Sequence, residues 1–305
     1  MTAETFSLDQ LPQWRPRSSR LLHQRWSRPQ LSQAPSAASS NGRGAASTMK
    51  SRDRVRRSFL PMGSAAITRL GGSRSPIFLI DFTCVTFSHR GYPPSSDIGI
   101  PDPREFAGDL ASLIEHLQLP NVRLVAQSMG GWTAIEYILT HPQHNVRALV
   151  LASTCGTINR ASVPSIDPQT LIEYDQKAAE ATADMLRRGI SPPAGERMAR
   201  EQPALHFLYR EIANASAAFD RVEFRKRIFM MTNRSPDLLH GFMMPVLFIT
   251  GEEDIANFPP FIADALAPLM PNARVEHVPE AGHSVYFQRA DVFNRLLDNF
   301  LSKVG

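Results

Sequence analysis

The feature that most constrains this chain is a regular alternation of short apolar runs with amphipathic helices. Apolar residues recur at helical spacing in 103–118, 132–140 and 290–301, so these segments are predicted to be helices. Strands that alternate with helices usually pair in parallel, so the pattern predicts an α/β fold with a doubly wound, mostly parallel sheet. The runs that we interpret as strands are 77–80, 84–87, 122–127, 148–152, 246–249 and 274–278.

The alternation pauses between residues 157 and 241, where no apolar run is typical of a strand. Within this stretch, 168–188 and 196–230 are predicted to be helical, and the prolines near 192 separate them. We therefore expect a helical cap that is inserted into the sheet domain. The predicted organisation is a disordered basic extension at 1–57, a first part of the core at 58–156, the cap at 157–241 and a second part of the core at 242–305.

The charge of the chain is concentrated near its start. Residues 1–57 hold eleven basic and three acidic residues, whereas the remainder holds 22 basic and 26 acidic residues. Because the remainder has no basic excess, we expect no nucleic-acid partner. No apolar run reaches the roughly 18 residues that a membrane-spanning helix needs. We expect a cytoplasmic protein, and the Arg- and Ser-rich extension leaves a mitochondrial or plastid transit peptide as the alternative.

A serine stands between a predicted strand and a predicted helix, in residues 125–131 (VAQSMGG). A tight turn of this kind lifts the hydroxyl of Ser128 clear of the sheet, and it needs small neighbours because strand and helix nearly touch. Ala126 and Gly130 are small enough. The backbone N–H of Met129 then lies at the positive end of the helix, which makes it a candidate oxyanion donor. The alternative interpretation is an ordinary glycine-containing turn between strand and helix.

An acid and a histidine follow the last two predicted strands. Asp254 ends a Gly-x-x-Asp pattern after the strand at 246–249, and an acid at the carboxyl end of a parallel strand faces the ligand crevice. The adjacent acids Glu252 and Glu253 are interpreted as part of a solvated loop. His283 follows Gly282 in the loop after the last strand, whereas the other histidines are interpreted as structural.

The order Ser, Asp, His and the position of each residue after a strand resemble the α/β-hydrolase family. The resemblance covers residues 58–303, and residues 87–97 also look like the family's Arg-Gly-x-Gly-x-Ser loop. Within the family, the segments around Ser128 and His283 look most like small esterases and enol-lactonases.

The resemblance implies that Ser128 is the nucleophile, His283 the base and Asp254 the acid that orients the histidine. It implies a serine hydrolase that cleaves a small-molecule carboxylic ester, thioester or lactone through an acyl-enzyme. No metal-ligand cluster or phosphate-binding loop is visible in the sequence, so no metal and no cofactor are expected. The sequence does not indicate an oligomeric state.

The pattern fails before the serine. Only three residues separate the runs 77–80 and 84–87, whereas neighbouring parallel strands need a crossover of about a dozen residues. Either the two runs form one distorted strand, or the family's His-Gly loop and the helix after it are missing. That loop supplies the second oxyanion donor, so the sequence predicts weak activity. The alternatives are a hydrolase-like ligand-binding protein, or a lyase or C–C hydrolase on the same scaffold.

Overall fold

The computed structural model describes residues 57–62, 82–92, 95, 99–143, 146–214, 219–256 and 258–304. The strands in these residues are β1 (Arg57–Met62), β2 (Phe82–Cys84), β3 (Arg123–Gln127), β4 (Ala148–Ala152), β5 (Val246–Gly251) and β6 (Ala273–Val278). The α-helices are α1 (Phe106–His116), α2 (Gly130–Thr140), α3 (Pro168–Arg187), α4 (Glu196–Glu201), α5 (Pro203–Asn214), α6 (Arg221–Met230), α7 (Pro260–Leu266), α8 (Val285–Gln288) and α9 (Ala290–Leu301).

The strands form one sheet in the order β2-β1-β3-β4-β5-β6, and every neighbouring pair is parallel. Successive side chains of a strand point to opposite faces of the sheet. Leu149 and Phe248 accordingly pack in a cluster with residues of α1, α2 and α7, whereas Val150 and Leu247 pack in another with residues of α8 and α9. The predicted doubly wound, parallel α/β fold is therefore confirmed.

The first two strands differ from the sequence prediction. The chain from Phe82 to Cys84 is β2, but Val85–Phe87 lie outside the described strands, and the predicted strand at 77–80 lies outside the described residues. The strand that pairs with β2 is β1, which was not predicted. The chain between them is 63–81, which is long enough for a parallel crossover. The expected loss of the His-Gly loop and its helix stays a prediction, because 63–81 lies outside the described residues.

The disordered extension predicted for 1–57 also lies outside the described residues, except for Arg57, which is the first residue of β1. That strand was missed because RSFLPM lacks the apolar alternation of a typical strand. It also contains Pro61, and proline cannot donate a hydrogen bond to a neighbouring strand.

Between β4 and β5 the chain forms α3 to α6. Asp167 begins α3, because its carboxylate accepts a hydrogen bond from the backbone N–H of Thr170 at 2.9 Å and a proline follows it. The single helical segment predicted at 196–230 is interrupted, since Gln202 ends α4 and Pro203 starts α5. Proline removes the N–H that a continuous helix would need but is well suited to a first helical position.

The two ends of this segment are joined at the sheet. Ile158 and Arg234 form an isolated parallel bridge, in which the N–H of Asn159 donates to the carbonyl of Arg234 at 2.8 Å. The Arg234 guanidinium also binds both carboxylate oxygens of Glu136 on α2, at 2.9 and 2.7 Å. The segment is thus attached to the helix that follows Ser128. No helix in the described part of the chain is long and apolar enough to cross a membrane.

Candidate active site

The turn at Ser128 joins β3 to α2. Ser128 has a φ of 49°, a left-handed conformation that a non-glycine residue rarely adopts. Its N–H donates to the carbonyl of Ala152 at the end of β4 at 3.0 Å, and its own carbonyl accepts from Gly131 at 2.8 Å. A Cβ on Gly131 would lie 2.3 Å from Oγ1 of Thr154. The close approach of α2 to the chain after β4 thus leaves no room for a side chain at Gly131.

The side chains of Ser128, His283 and Asp254 form a chain of two hydrogen bonds. Nε2 of His283 lies 2.8 Å from Oγ of Ser128, and Nδ1 lies 2.9 Å from Oδ2 of Asp254. Asp254 is 1% exposed and His283 is 5% exposed. The structure therefore brings together the three residues that the sequence singled out, in the order serine, histidine, acid.

Asp254 is selected from three adjacent acids by the turn that follows β5. Its N–H donates to the carbonyl of Gly251 at 3.1 Å, and its Oδ1 accepts from the N–H of Ala256 at 2.9 Å. The neighbouring Glu253 points to the surface, where Arg197 binds its carboxylate with contacts of 3.0 and 2.6 Å. Only the Asp254 carboxylate of this turn contacts the imidazole.

Gly251 lets the end of β5 touch the loop that carries His283. A Cβ at this position would lie 2.3 Å from the carbonyl oxygens of both Ala281 and Gly282. Such a distance is impossible between non-bonded atoms, so another residue here would push the histidine loop away from Asp254. The glycine of the Gly-x-x-Asp pattern therefore has a physical reason in the structure.

Contacts that the sequence did not reveal hold the histidine loop. The Gln288 side chain accepts from the N–H of Gly282 at 2.5 Å and donates to the carbonyl of Ala194 at 2.5 Å. The Gln127 amide donates to the carbonyl of His283 at 3.2 Å. These residues belong to no local motif, because each contact depends on how distant segments pack. Among these residues, only Gln127 could have been suspected from the sequence, because it stands next to the serine.

Met129 is the residue before α2, as the oxyanion prediction requires. Among the described residues, no acceptor binds its backbone N–H. On the other side of the serine, β1 ends at Met62, which pairs in register with Ala126 of β3. The chain that leaves β1 therefore starts beside the serine turn.

Ser128 and His283 lie in the wall of a cavity of about 370 Å³. Much of the remaining wall is apolar or aromatic and comes from Tyr92, Met129, Trp132, Phe224 and Ile228. A cavity of this size and lining is typical of a site for a small organic ligand.

Burial changes the acidity of two groups near the serine. It raises the pKa of the Cys155 thiol, which also lines the cavity, to about 11. Burial, with the Asp254 charge as the next cause, raises the pKa of Tyr174, whose hydroxyl donates to the backbone carbonyl of Asp254. Both groups therefore stay protonated near neutral pH, and the Cys155 thiol is a poor competing nucleophile.

Clusters of three or more His, Cys, Asp or Glu side chains that could hold a metal are not found in the part of the chain that the structure describes. The triad residues are engaged with one another rather than directed at a common point. The arrangement thus has the parts for nucleophilic and acid–base chemistry.

The family of the chain is shown by comparison with known proteins. A model of the alpha/beta hydrolase family matches residues 41–296. The chain is 27% identical over 243 residues to the Mycobacterium tuberculosis protein named "Putative non-heme bromoperoxidase BpoC", with 75% of this chain and 87% of that protein covered.

Two solved structures share the fold at low sequence identity. An esterase from Exiguobacterium antarcticum has a TM-score of 0.63 at 19% identity, with 81% of this chain and 92% of that chain covered. An enol-lactonase from Burkholderia xenovorans has a TM-score of 0.60 at 18% identity, with the same shares covered.

Proposed function

The chain belongs to the alpha/beta hydrolase family, and on that basis we propose that it is a serine hydrolase that cleaves a small carboxylic ester, thioester or lactone. The observation that carries the proposal is the pair of hydrogen bonds from Ser128 to His283 and from His283 to Asp254. The esterase and the enol-lactonase on the same fold support the substrate class, although their similarity extends to the fold alone.

In the proposed reaction, Oγ of Ser128 attacks the carbonyl carbon while Nε2 of His283 takes the hydroxyl proton. The buried Asp254 carboxylate keeps the proton of the imidazole on Nδ1 and stabilises the imidazolium that forms. His283 then gives its proton to the departing oxygen or sulfur, and an acyl-enzyme on Ser128 remains. Water, deprotonated by the same histidine, attacks that acyl group and restores the serine.

The negative charge that develops on the carbonyl oxygen needs donors that are already in position. The Met129 N–H supports this role because it lies at the start of α2 and has no other acceptor in the described residues. Loss of one such donor costs about 10²–10³ in rate. In this family a second donor comes from the loop after the neighbouring strand.

A fluorophosphonate probe tests the proposal, because it labels only an activated serine. We expect the wild-type protein to be labelled and to hydrolyse p-nitrophenyl esters. Ser128→Ala should lose labelling and at least about 10³-fold of the activity. Its melting temperature should change little, since the serine side chain is partly exposed.

The exposed Ser302→Ala offers a matched control that should keep both properties. A folded wild-type protein that neither reacts with the probe nor hydrolyses any ester of a graded series would refute the proposal. That outcome would favour a hydrolase-like ligand-binding protein instead.

A further inference from the structure

Helix α6 presents one face to the cavity that contains Ser128. Its cavity-lining residues follow the spacing i, i+3, i+4, i+7 and i+8, which is a single stripe of a helix. The C-terminal half of the stripe is apolar, and Phe224 and Ile228 pack in one cluster with Met129 and Trp132. The N-terminal half carries two arginines. The full stripe is Arg221, Phe224, Arg225, Ile228 and Phe229.

Arg221 and Arg225 have no acidic partner among the residues that the structure describes. The Arg221 guanidinium donates only to the backbone carbonyl of Ala213, at 2.5 Å, and no hydrogen bond or ion pair engages Arg225. Like charges four residues apart on a helix repel each other. Arg221 also adds a positive charge to the positive end of the helix dipole. Their arrangement therefore weakens the helix rather than stabilising it.

The arginines on the other side of the same helix behave differently. A second cavity, of about 480 Å³, lies away from Ser128 and is rich in charged side chains. There Arg227 pairs with Glu223 at 3.5 Å, and Arg234 pairs with Glu136 at 2.7 Å. The charges of that cavity are already balanced within the protein, whereas those that face Ser128 are not.

Tyr92 lines the same cavity as the two arginines and Ser128. Its hydroxyl contacts the sulfur of Met129, the residue after Ser128, at 3.8 Å. Burial raises the pKa of Tyr92 to about 12, and the charges of Arg221 and Arg225 oppose that rise. Both arginines thus line the same cavity as a side chain that touches the serine turn.

We propose that the substrate carries a carboxylate in addition to its scissile bond, and that Arg221 and Arg225 bind this carboxylate. The inference rests on the proposed function, because it specifies the substrate of the same site. A planar guanidinium offers paired donors that match the two oxygens of a carboxylate. The ligand would also remove the repulsion between the two arginines. The apolar part of the stripe would contact the carbon chain between the carboxylate and the scissile carbonyl.

Two chromogenic esters of equal chain length test the proposal. The mono-p-nitrophenyl ester of glutaric acid ends in a carboxylate, whereas p-nitrophenyl pentanoate ends in a methyl group. We expect kcat/KM to favour the glutarate ester in the wild-type protein. In the double variant Arg221→Gln and Arg225→Gln this ratio should fall about tenfold, chiefly through KM of the glutarate ester. The preference should also weaken in about 1 M salt, which screens partly exposed charges.

Arg210→Gln is the matched control. Arg210 lies on the neighbouring helix α5, is exposed and does not line the cavity, so its substitution should leave the ratio unchanged. A wild-type protein without preference, or a preference that survives in the double variant, would overturn the inference and leave the proposed hydrolase intact.

If neither ester is hydrolysed, the fluorophosphonate probe still tests the proposed function, and binding decides the inference separately. Calorimetry with glutarate then supports it when the double variant binds at least about fivefold more weakly than Arg210→Gln. It overturns the inference when glutarate does not bind or binds both variants equally.

Discussion

Two parts of the sheet differ in the length of their strand pairing and in the site residues that follow their strands. Strands β5 and β6 pair over six register positions, whereas β1 and β2 pair over three. Ser128, Asp254 and His283 all follow strands of the firmly paired part. The comparison indicates that the geometry of the triad depends on β3 to β6, while β1 and β2 form a border beside the serine turn.

The largest expected effect comes from the two adjacent acids after β5. Asp254→Asn should lower kcat by about 10⁴, because an amide cannot hold the imidazole in the required tautomer. Glu253→Gln should change kcat by no more than about twofold, because that carboxylate is at the surface and contacts Arg197. Steady-state kinetics on one ester compares the two variants. Equal losses would show that the turn, rather than the buried carboxylate, is what matters.

Glycine substitutions test how tightly the firmly paired part is packed. Gly251→Ala should reduce the free energy of unfolding by about 3 kcal/mol, because its Cβ would overlap two backbone oxygens of the histidine loop. Gly108→Ala in the exposed part of α1 should raise it by about 1 kcal/mol, since its Cβ would meet nothing within 4 Å. Urea unfolding measures both values. A stable Gly251→Ala protein with normal kcat would contradict the described contact.

The smallest expected effect is a difference in amide hydrogen exchange between the two parts of the sheet, and it tests the comparison directly. Amides of β3, β4 and β5 should exchange only when the whole domain unfolds, because these strands are buried and paired on both sides. Amides of β2, a three-residue strand at the edge, should exchange at least about tenfold faster. Mass spectrometry of peptides from each strand resolves the difference. Equal protection would show that β2 is as stably paired as β3, β4 and β5.

The same division explains what could be predicted from the sequence. Strands β3, β4 and β5 are buried along their whole length, so they appear as continuous apolar runs that are easy to recognise. Strand β1 begins with Arg57 and contains Pro61, which argues against a strand with neighbours on both sides. The run Val85–Phe87 is apolar enough for a strand but lies outside the strands of the described residues. Composition alone therefore does not decide which of these runs form strands.

The candidate site also contains residues that the sequence indicated and residues that it did not. Ser128, Asp254 and His283 follow recognisable strands, so their meeting could be expected, and their catalytic roles stay a prediction. Gln288 and the two arginines of α6 were missed, because nothing near them in the sequence indicates what they contact. Their positions depend on packing between segments that are about a hundred residues apart in the chain.

The bridge between Ile158 and Arg234 has a consequence for how such a protein can change over evolution. The two ends of the segment that carries α3 to α6 are already held together, so a longer or shorter segment needs no new closure at the sheet. Doubling the length of a closed loop costs only about 0.6 kcal/mol in chain entropy. Mutation can therefore replace the helices that line the cavity, and with them the substrate preference, while the triad is inherited unchanged.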